Sequence, residues 1–142
     1  MPELVFFYGT LMTPFHRTAR MRIEEHLAYR GCGTIEAALF DLGIYPAAVP
    51  VSGCRVYGEL YEMRHPMIVL RTLDELEGYR PGEHDKSLYT RTRTRVLLED
   101  GTEAKAWAYF YNAPLGRAER IESGDYLEYL GARPAPSQPE VY

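Results

Sequence analysis

One acidic residue, Glu77, falls on what the sequence pattern predicts to be the apolar face of a helix. Residues 66–79 read PMIVLRTLDELEGY, and successive residues of an α-helix are rotated by about 100°. With Leu70 at zero, Glu77 lies at about −20° and Asp74 at about +40°, nearer the edge of that face. The arc from about +60° to about −120° holds the apolar side chains of Met67, Val69, Leu73 and Leu76. The pattern therefore predicts that Glu77 points toward the core.

Two effects at this position would suit Glu77 to act as a general acid or base. An ionised carboxylate that faces a core is costly, and the dipole of the last helical turn opposes negative charge. Both effects would raise the pKa of Glu77 toward neutrality, where a general acid or base works best at physiological pH. The alternative is that the helix frays early and Glu77 turns out to solvent. Asp74 is either a second acid or a residue of the helix surface.

The loop after the first predicted strand offers a second set of candidate groups. Residues 4–8 form a short apolar run that stops at Gly9. Glycine permits unusual backbone angles and lets a ligand approach the main chain. Successive N–H groups exposed there would form a nest for a carboxylate or an oxyanion. The alternative is an ordinary turn, which is the more frequent role of a strand that ends in Gly-Thr.

Other residue types capable of chemistry show weaker patterns. Arg91, Arg93 and Arg95 alternate with threonines and share one strand face, which indicates an anion patch or a solvated face paired with acids. The negative net charge favours the second interpretation. The four histidines lack metal-ligand spacing, so we expect no metal site. Several tyrosines could line a polar-tipped pocket or simply pack in the core: Tyr8, Tyr45, Tyr79, Tyr111 and Tyr126.

The rest of the pattern predicts the elements that must position these groups. Proline lacks a donor and restrains its neighbour, and glycine commonly follows a helix end. Consecutive strands with hairpin-like turns favour an α+β fold, a small mixed and mostly antiparallel β-barrel with flanking helices. In chain order we expect a strand at 4–8, a helix at 15–28 broken at 30–33, a strand at 34–42, an irregular segment at 45–50, a strand at 55–63, a helix at 66–77, strands at 87–98 and 103–112 around a turn at 99–102, and a short helix or turn at 121–129.

The composition is that of a soluble globular protein. The 142 residues are 46% hydrophobic and 25% charged, which suits one domain over residues 1–132 and a proline-rich extended tail over residues 133–142. A net charge of −4 gives no general attraction to nucleic acid or to an anionic membrane, and no apolar run is long enough to cross a bilayer. Cys32 and Cys54 lack CxxC spacing, which predicts buried thiols in a reducing cytoplasm. The first residues show no signal-peptide pattern.

Five short motifs, in the same order along the chain, resemble the γ-glutamylcyclotransferase-like superfamily in its AIG2-like branch. They are FYGTL at 7–11, LGIYPAAV at 42–49, VYGELY at 56–61, LDELEGY at 73–79 and AWAYFY at 106–111. The resemblance spans roughly residues 4–130. It implies a β-barrel with flanking helices, a loop at Tyr8, Gly9, Thr10 and Leu11 that binds the glutamyl end of a substrate through backbone N–H groups, and a catalytic acid or base at Glu77.

The chemistry that this resemblance implies is an intramolecular aminolysis. The α-amine of a γ-glutamyl substrate attacks its own γ-carbonyl group and releases 5-oxoproline with an amine or amino acid. Because the nucleophile is tethered, positioning supplies much of the rate, and no metal or organic cofactor is needed. The alternatives are a non-catalytic small-carboxylate binding protein on the same fold and an interaction protein that uses the arginine strand. The leaving group and the oligomeric state stay open.

Overall fold

The computed structural model describes residues 3–12, 21–43 and 45–132. Two short 3-10 turns accompany the strands and helices, at Glu24–His26 and His84–Lys86. The strands are β1 (Glu3–Phe7), β2 (Leu27–Glu36), β3 (Ala38–Asp41), β4 (Pro46–Val49), β5 (Arg55–Met63), β6 (Tyr89–Leu98), β7 (Glu103–Tyr111) and β8 (Glu119–Ile121). The helices are α1 (Pro66–Glu77) and α2 (Tyr126–Ala132).

Five strands close into a barrel in the order β1-β5-β2-β6-β7. The pairs within it are antiparallel except for the closing pair of β1 with β7, which is parallel and joins Val5 to Trp107. The predicted mixed, mostly antiparallel barrel with helices beside it is therefore confirmed. Burial along β5 shows why the alternating pattern favoured a strand, since Val56 and Leu60 are buried whereas Tyr57 is exposed.

A second sheet with the order β4-β3-β8 lies beside the barrel. The sequence led us to expect an irregular segment at 45–50, and this expectation is wrong, because β4 pairs antiparallel with β3 from Ala38↔Val49 to Asp41↔Pro46. The prolines do not prevent pairing. Pro46 is the first residue of an edge strand and Pro50 follows its last residue, so the missing N–H groups remove no ladder hydrogen bond from the strand interior.

The predicted helix at 15–28 is contradicted in its last residues. Residues 15–20 lie outside the described part of the chain, residues 24–26 form a single 3-10 turn, and β2 begins at Leu27. The glycines at 30–33 do not break an element, since they lie within β2, where the pairing with β5 shifts register between Tyr29 and Gly31 as in a β-bulge. The strand expected at 34–42 is divided between β2 and β3.

The helix that carries Glu77 has the predicted bounds. Pro66 occupies its first turn, where a missing N–H costs nothing, and Gly78 follows its last residue in the left-handed conformation with φ 67°. Tyr79 N–H then closes onto the Asp74 carbonyl oxygen at 2.9 Å. A glycine at this position ends the helix sharply because it adopts positive φ without strain. Glu77 is therefore the last residue of a complete helical turn.

Three further expectations have mixed outcomes. Cys32 and Cys54 are free, as predicted, but half-buried rather than buried. Residues 121–129, expected to hold a short helix or turn, contain the end of β8, a turn and the start of α2. The tail at 133–142 lies outside the described residues.

Neither helix in the described part of the chain is long and apolar enough to cross a membrane.

Candidate functional site

The C-terminal end of α1, the loop after β1 and the start of β4 surround a cavity of about 90 Å³. One water molecule needs roughly 10–15 Å³ of such space, so the cavity has room for a small organic group. Its walls are residues 6–11, residues 45–46, residues 76–77, residues 88–89 and Tyr109. The structure thus brings the predicted loop at 8–11 and the predicted acid Glu77 into one cavity.

The orientation of α1 differs from the one expected from the helical count. Val69 and Leu73 are fully buried, whereas Met67 is 77% exposed. The buried face of the helix is therefore rotated away from Met67, and Glu77 lies at its border rather than at its centre. Glu77 is half-buried and lines the cavity. Because α1 is helical through its last turn, the alternative of an early frayed end does not apply.

Three buried tyrosines, Tyr8, Tyr89 and Tyr109, line the cavity together with Glu77. Burial is the main cause that raises the pKa of Tyr8 above its ordinary value of 10.0, and the charge of Glu77 raises it further. Burial, followed by the charges of Tyr8 and Glu77, also raises the pKa of Tyr89. The pKa of Tyr109 is raised by burial, by its bond to Asp74 and, less strongly, by Glu77. All three hydroxyls therefore remain protonated well above neutral pH.

These hydroxyl groups brace the walls of the cavity. The Tyr8 hydroxyl donates to the Tyr109 carbonyl oxygen at 2.6 Å and accepts the Ala48 N–H at 3.3 Å. The Tyr89 hydroxyl donates to the Pro46 carbonyl oxygen at 3.1 Å. The tyrosines thus tie β4 to the barrel, so that the second sheet forms one wall of the cavity. A Tyr8 hydroxyl bonded on both sides supports the site rather than offering a free donor to a ligand.

Gly9 has a different role from the one its position suggested. Its φ is not in the left-handed region, so no unusual backbone angle requires a glycine here. A Cβ atom at Gly9 would lie 2.9 Å from Pro46 Cγ, closer than carbon atoms approach without a shift. The small residue therefore allows the loop to pack directly on Pro46 of β4. Met12 N–H closes the loop onto the Gly9 carbonyl oxygen at 3.0 Å.

Two of the predicted binding residues do not line this cavity. Tyr111 packs its ring against Tyr89 with a centroid distance of 5.2 Å, and Tyr126 is buried in the core at the start of α2. Tyr89 and Tyr109, which do line it, were not among the residues predicted from the sequence to bind the substrate. The alternation of side chains along β7 could have indicated Tyr109, because it places Tyr109 on the same strand face as Tyr111, which was predicted to bind the substrate.

Asp74, considered as a second acid, instead anchors α1 to the barrel. Its carboxylate accepts Arg91 Nε at 2.9 Å, Arg91 Nη2 at 3.1 Å and the Tyr109 hydroxyl at 2.6 Å. Burial by itself would lower the pKa of Arg91, but the hydrogen bond and the charge of Asp74 outweigh it and raise that pKa. Arg91 also lies over the Trp107 ring, 4.5 Å from its centroid. Asp74 thereby holds the helix that carries Glu77.

The alternating arginines of β6 each pair with a carboxylate. Arg91 binds Asp74, Arg93 binds Glu3 and Arg95 approaches Glu103. This confirms the interpretation of a strand face paired with acids. In the described part of the chain no group of three or more His, Cys, Asp or Glu side chains could hold a metal ion.

Comparison with known proteins identifies the family. Residues 5–128 match the family described as Gamma-glutamyl cyclotransferase, AIG2-like. The chain is 32% identical over 127 residues to the gamma-glutamylcyclotransferase family protein YtfP of Escherichia coli, covering 87% of this chain and 96% of that protein. It is 36% identical over 110 residues to the gamma-glutamylaminecyclotransferase of Bos taurus, covering 67% of this chain and 56% of that protein.

Solved structures show the same fold. The crystal structure of an AIG2-like protein from Mus musculus superimposes with a TM-score of 0.63 at 29% identity, over 87% of this chain and 88% of that chain. The family match begins within β1 and ends within α2, so it includes every element that lines the cavity. The five motifs that resembled this superfamily all lie inside the matched range. The chain therefore belongs to the AIG2-like gamma-glutamyl cyclotransferases, a family named for cyclotransferase-type enzymes.

Proposed function

We propose that this protein converts a γ-glutamyl amine or γ-glutamyl amino acid into 5-oxoproline and the free amine or amino acid. The observation that carries the proposal is a half-buried carboxylate, Glu77, in a cavity that the loop at 8–11 also lines. Glu77 is the one charged residue among the described residues that line this cavity. It is accordingly the candidate for the proton transfer that the reaction needs.

In the proposed reaction, Glu77 first takes a proton from the α-ammonium group of the substrate. The freed amine attacks the γ-carbonyl carbon, a new C–N bond closes a five-membered ring, and an oxyanion forms. Collapse of this intermediate breaks the original amide bond as Glu77 returns its proton to the departing nitrogen. The ring nitrogen, which carries two protons after the attack, passes one of them to the released amine. Since nucleophile and electrophile belong to one molecule, holding them in the reactive geometry supplies much of the rate.

The loop at 8–11 is proposed to hold the glutamyl end of the substrate. Tyr8, Thr10 and Leu11 line the cavity and are buried, and successive backbone N–H groups of a loop suit a carboxylate or an oxyanion. The bracing of Tyr8 by two backbone groups supports a rigid loop. A rigid donor set requires little reorganisation when charge develops in the transition state.

The test replaces Glu77 with Gln and measures 5-oxoproline release from a panel of γ-glutamyl compounds. Loss of a positioned acid or base should lower kcat by about a hundred- to ten-thousandfold. Glu75→Gln is the matched control, since it makes the same change on the exposed side of the same helical turn. Undiminished turnover by a folded Glu77→Gln protein would contradict the proposal.

The same experiment addresses the non-catalytic alternative. A small-carboxylate binding protein would be stabilised against heat by 5-oxoproline or by γ-glutamyl compounds, because a ligand that binds the folded state raises Tm. It would release no product from any member of the panel. Thermal stabilisation without turnover would therefore favour this second function over the first.

A further inference from the structure

Three large side chains of the cavity wall are partly exposed to solvent. Tyr45 is 37% exposed, Leu76 is 37% exposed and Leu88 is 40% exposed. Single exposed apolar residues are common on protein surfaces, but several that converge on one pocket mark a surface that contacts a ligand. Tyr8, Thr10 and Leu11 of the loop at 8–11 line the same cavity and are buried. The three exposed side chains, here called the apolar rim, therefore form its open end.

The two leucines of the apolar rim lie beside Glu77 at the end of α1. Leu76 directly precedes Glu77 on α1. Leu88 N–H donates to the Gly78 carbonyl oxygen at 2.9 Å, and Asn112 N–H donates to the Leu88 carbonyl oxygen at 2.8 Å. The helix therefore fixes the position of Leu76, and the two backbone hydrogen bonds fix the position of Leu88 beside the end of α1.

A bound γ-glutamyl substrate would place its two parts at opposite ends of this cavity. Under the proposed function, the glutamyl part lies at the loop and the scissile amide lies near Glu77. The leaving group must then extend through the open end, where it contacts the apolar rim. A charged leaving group would lose water there against apolar surface, and none of the described residues that line the cavity is a Lys or Arg that would pair with a carboxylate.

We propose that Tyr45, Leu76 and Leu88 form a leaving-group subsite that selects γ-glutamyl conjugates of uncharged, apolar amines. This inference rests on the proposed function and narrows it to a substrate class. A leaving group that carries a carboxylate or an ammonium group beyond the scissile nitrogen is disfavoured. Each additional methylene that reaches the apolar rim should raise kcat/KM about fourfold, until the chain extends past it.

The test uses the full-length protein and two matched pairs of substrates. The γ-glutamyl amides of pentylamine and of 1,4-diaminobutane have the same length and differ in a terminal methyl or ammonium group. The γ-glutamyl amides of 3-methylbutylamine and of leucine differ by one carboxylate. In both pairs we expect kcat/KM for the apolar member to be higher by at least about tenfold.

A substitution in the subsite should change this preference. Leu88→Glu, at an exposed side chain, should reduce the ratio of kcat/KM for the pentylamine conjugate to kcat/KM for the diaminobutane conjugate by about tenfold or more. The new carboxylate attracts the ammonium group of the diaminobutane conjugate and has no such attraction for the pentyl chain. Leu97→Glu is the matched control, since Leu97 is also 40% exposed on β6 and does not line this cavity. The control should leave the ratio unchanged.

The outcomes separate this inference from the function on which it rests. Release of 5-oxoproline with both ratios near one would overturn the leaving-group subsite while the proposed function stands. An unchanged ratio in Leu88→Glu would also overturn it. If no substrate released 5-oxoproline, the proposed function would fail, and the subsite would fail with it.

Discussion

Replacing Asp74 with Ala should destabilise the protein strongly, because Asp74 joins α1, the helix that carries Glu77, to the barrel. Its carboxylate accepts three hydrogen bonds, two from Arg91 and one from Tyr109. The side chains of Arg91 and Asp74 are only 16% and 13% exposed. The substitution leaves a mostly desolvated guanidinium group against the Trp107 ring without its counter-charge.

The expected magnitude follows from this burial. Removing one partner of a fully buried ion pair costs about 3–5 kcal/mol, whereas an exposed pair contributes roughly 0–1 kcal/mol. Since a small part of each side chain still reaches water, we expect a loss of about 3 kcal/mol in the free energy of unfolding. For a chain of 142 residues, each kcal/mol lowers Tm by about 3–4 °C, so Tm should fall by about 10 °C.

A double-mutant cycle with Arg91→Ala isolates the pair. Urea unfolding of the two single variants and the double variant should give a coupling energy of about 1.5–3 kcal/mol. Arg95→Ala is the control on the same strand face, because its contact with Glu103 is 3.8 Å long and both side chains are more than half exposed. It should cost less than about 0.5 kcal/mol. Additivity of Asp74→Ala and Arg91→Ala within about 0.5 kcal/mol would refute the reasoning.

Two further substitutions test other contacts. Gly9→Ala places a Cβ atom 2.9 Å from Pro46. It should lower kcat/KM, and it should lower the free energy of unfolding by about 1–3 kcal/mol. Gly131→Ala is the control, because no atom lies within 4 Å of its new Cβ, and it should not destabilise the protein. Burial alone would raise the pKa of Glu3, but hydrogen bonds from the Trp107 indole N–H and from Arg93 lower this pKa below the ordinary value of 4.5. The ionised form thus contributes stability above pH 4.5 that is lost as the pH falls through the lowered pKa, so the stability difference between wild type and Glu3→Gln should shrink in acid. A difference that is constant with pH, or equal to that of the exposed control Glu103→Gln, would contradict this.

The segments that were predicted correctly are those whose structure depends on neighbouring residues. Pro66 and Gly78 delimit α1 because a missing N–H is harmless in the first turn and a positive φ suits glycine after the last. The hairpin between β6 and β7 follows from a short polar turn between two alternating runs. Both signals act over a few residues and are therefore visible in the sequence.

The segments that were predicted wrongly take their structure from remote partners. Residues 27 and 28 were expected to end a helix, but they begin β2, which pairs with the remote strands β5 and β6, so that Leu27 lies opposite Met63. Pro46 seemed to forbid a strand, but the free edge of the second sheet accommodates a first residue without an N–H. The energetic gain of such pairing is non-local, so no short window of sequence contains it.

The candidate site divides in the same way. The sequence alone determined that a carboxylate ends an amphipathic helix and that a glycine-containing loop follows the first strand, because helix periodicity and turn chemistry are local. Only the tertiary structure decided that Glu77 and this loop line one cavity, and that Leu88, just before β6, and Tyr109, on β7, join them there. Barrel closure brings these groups together, and its register depends on the packing of all five strands at once.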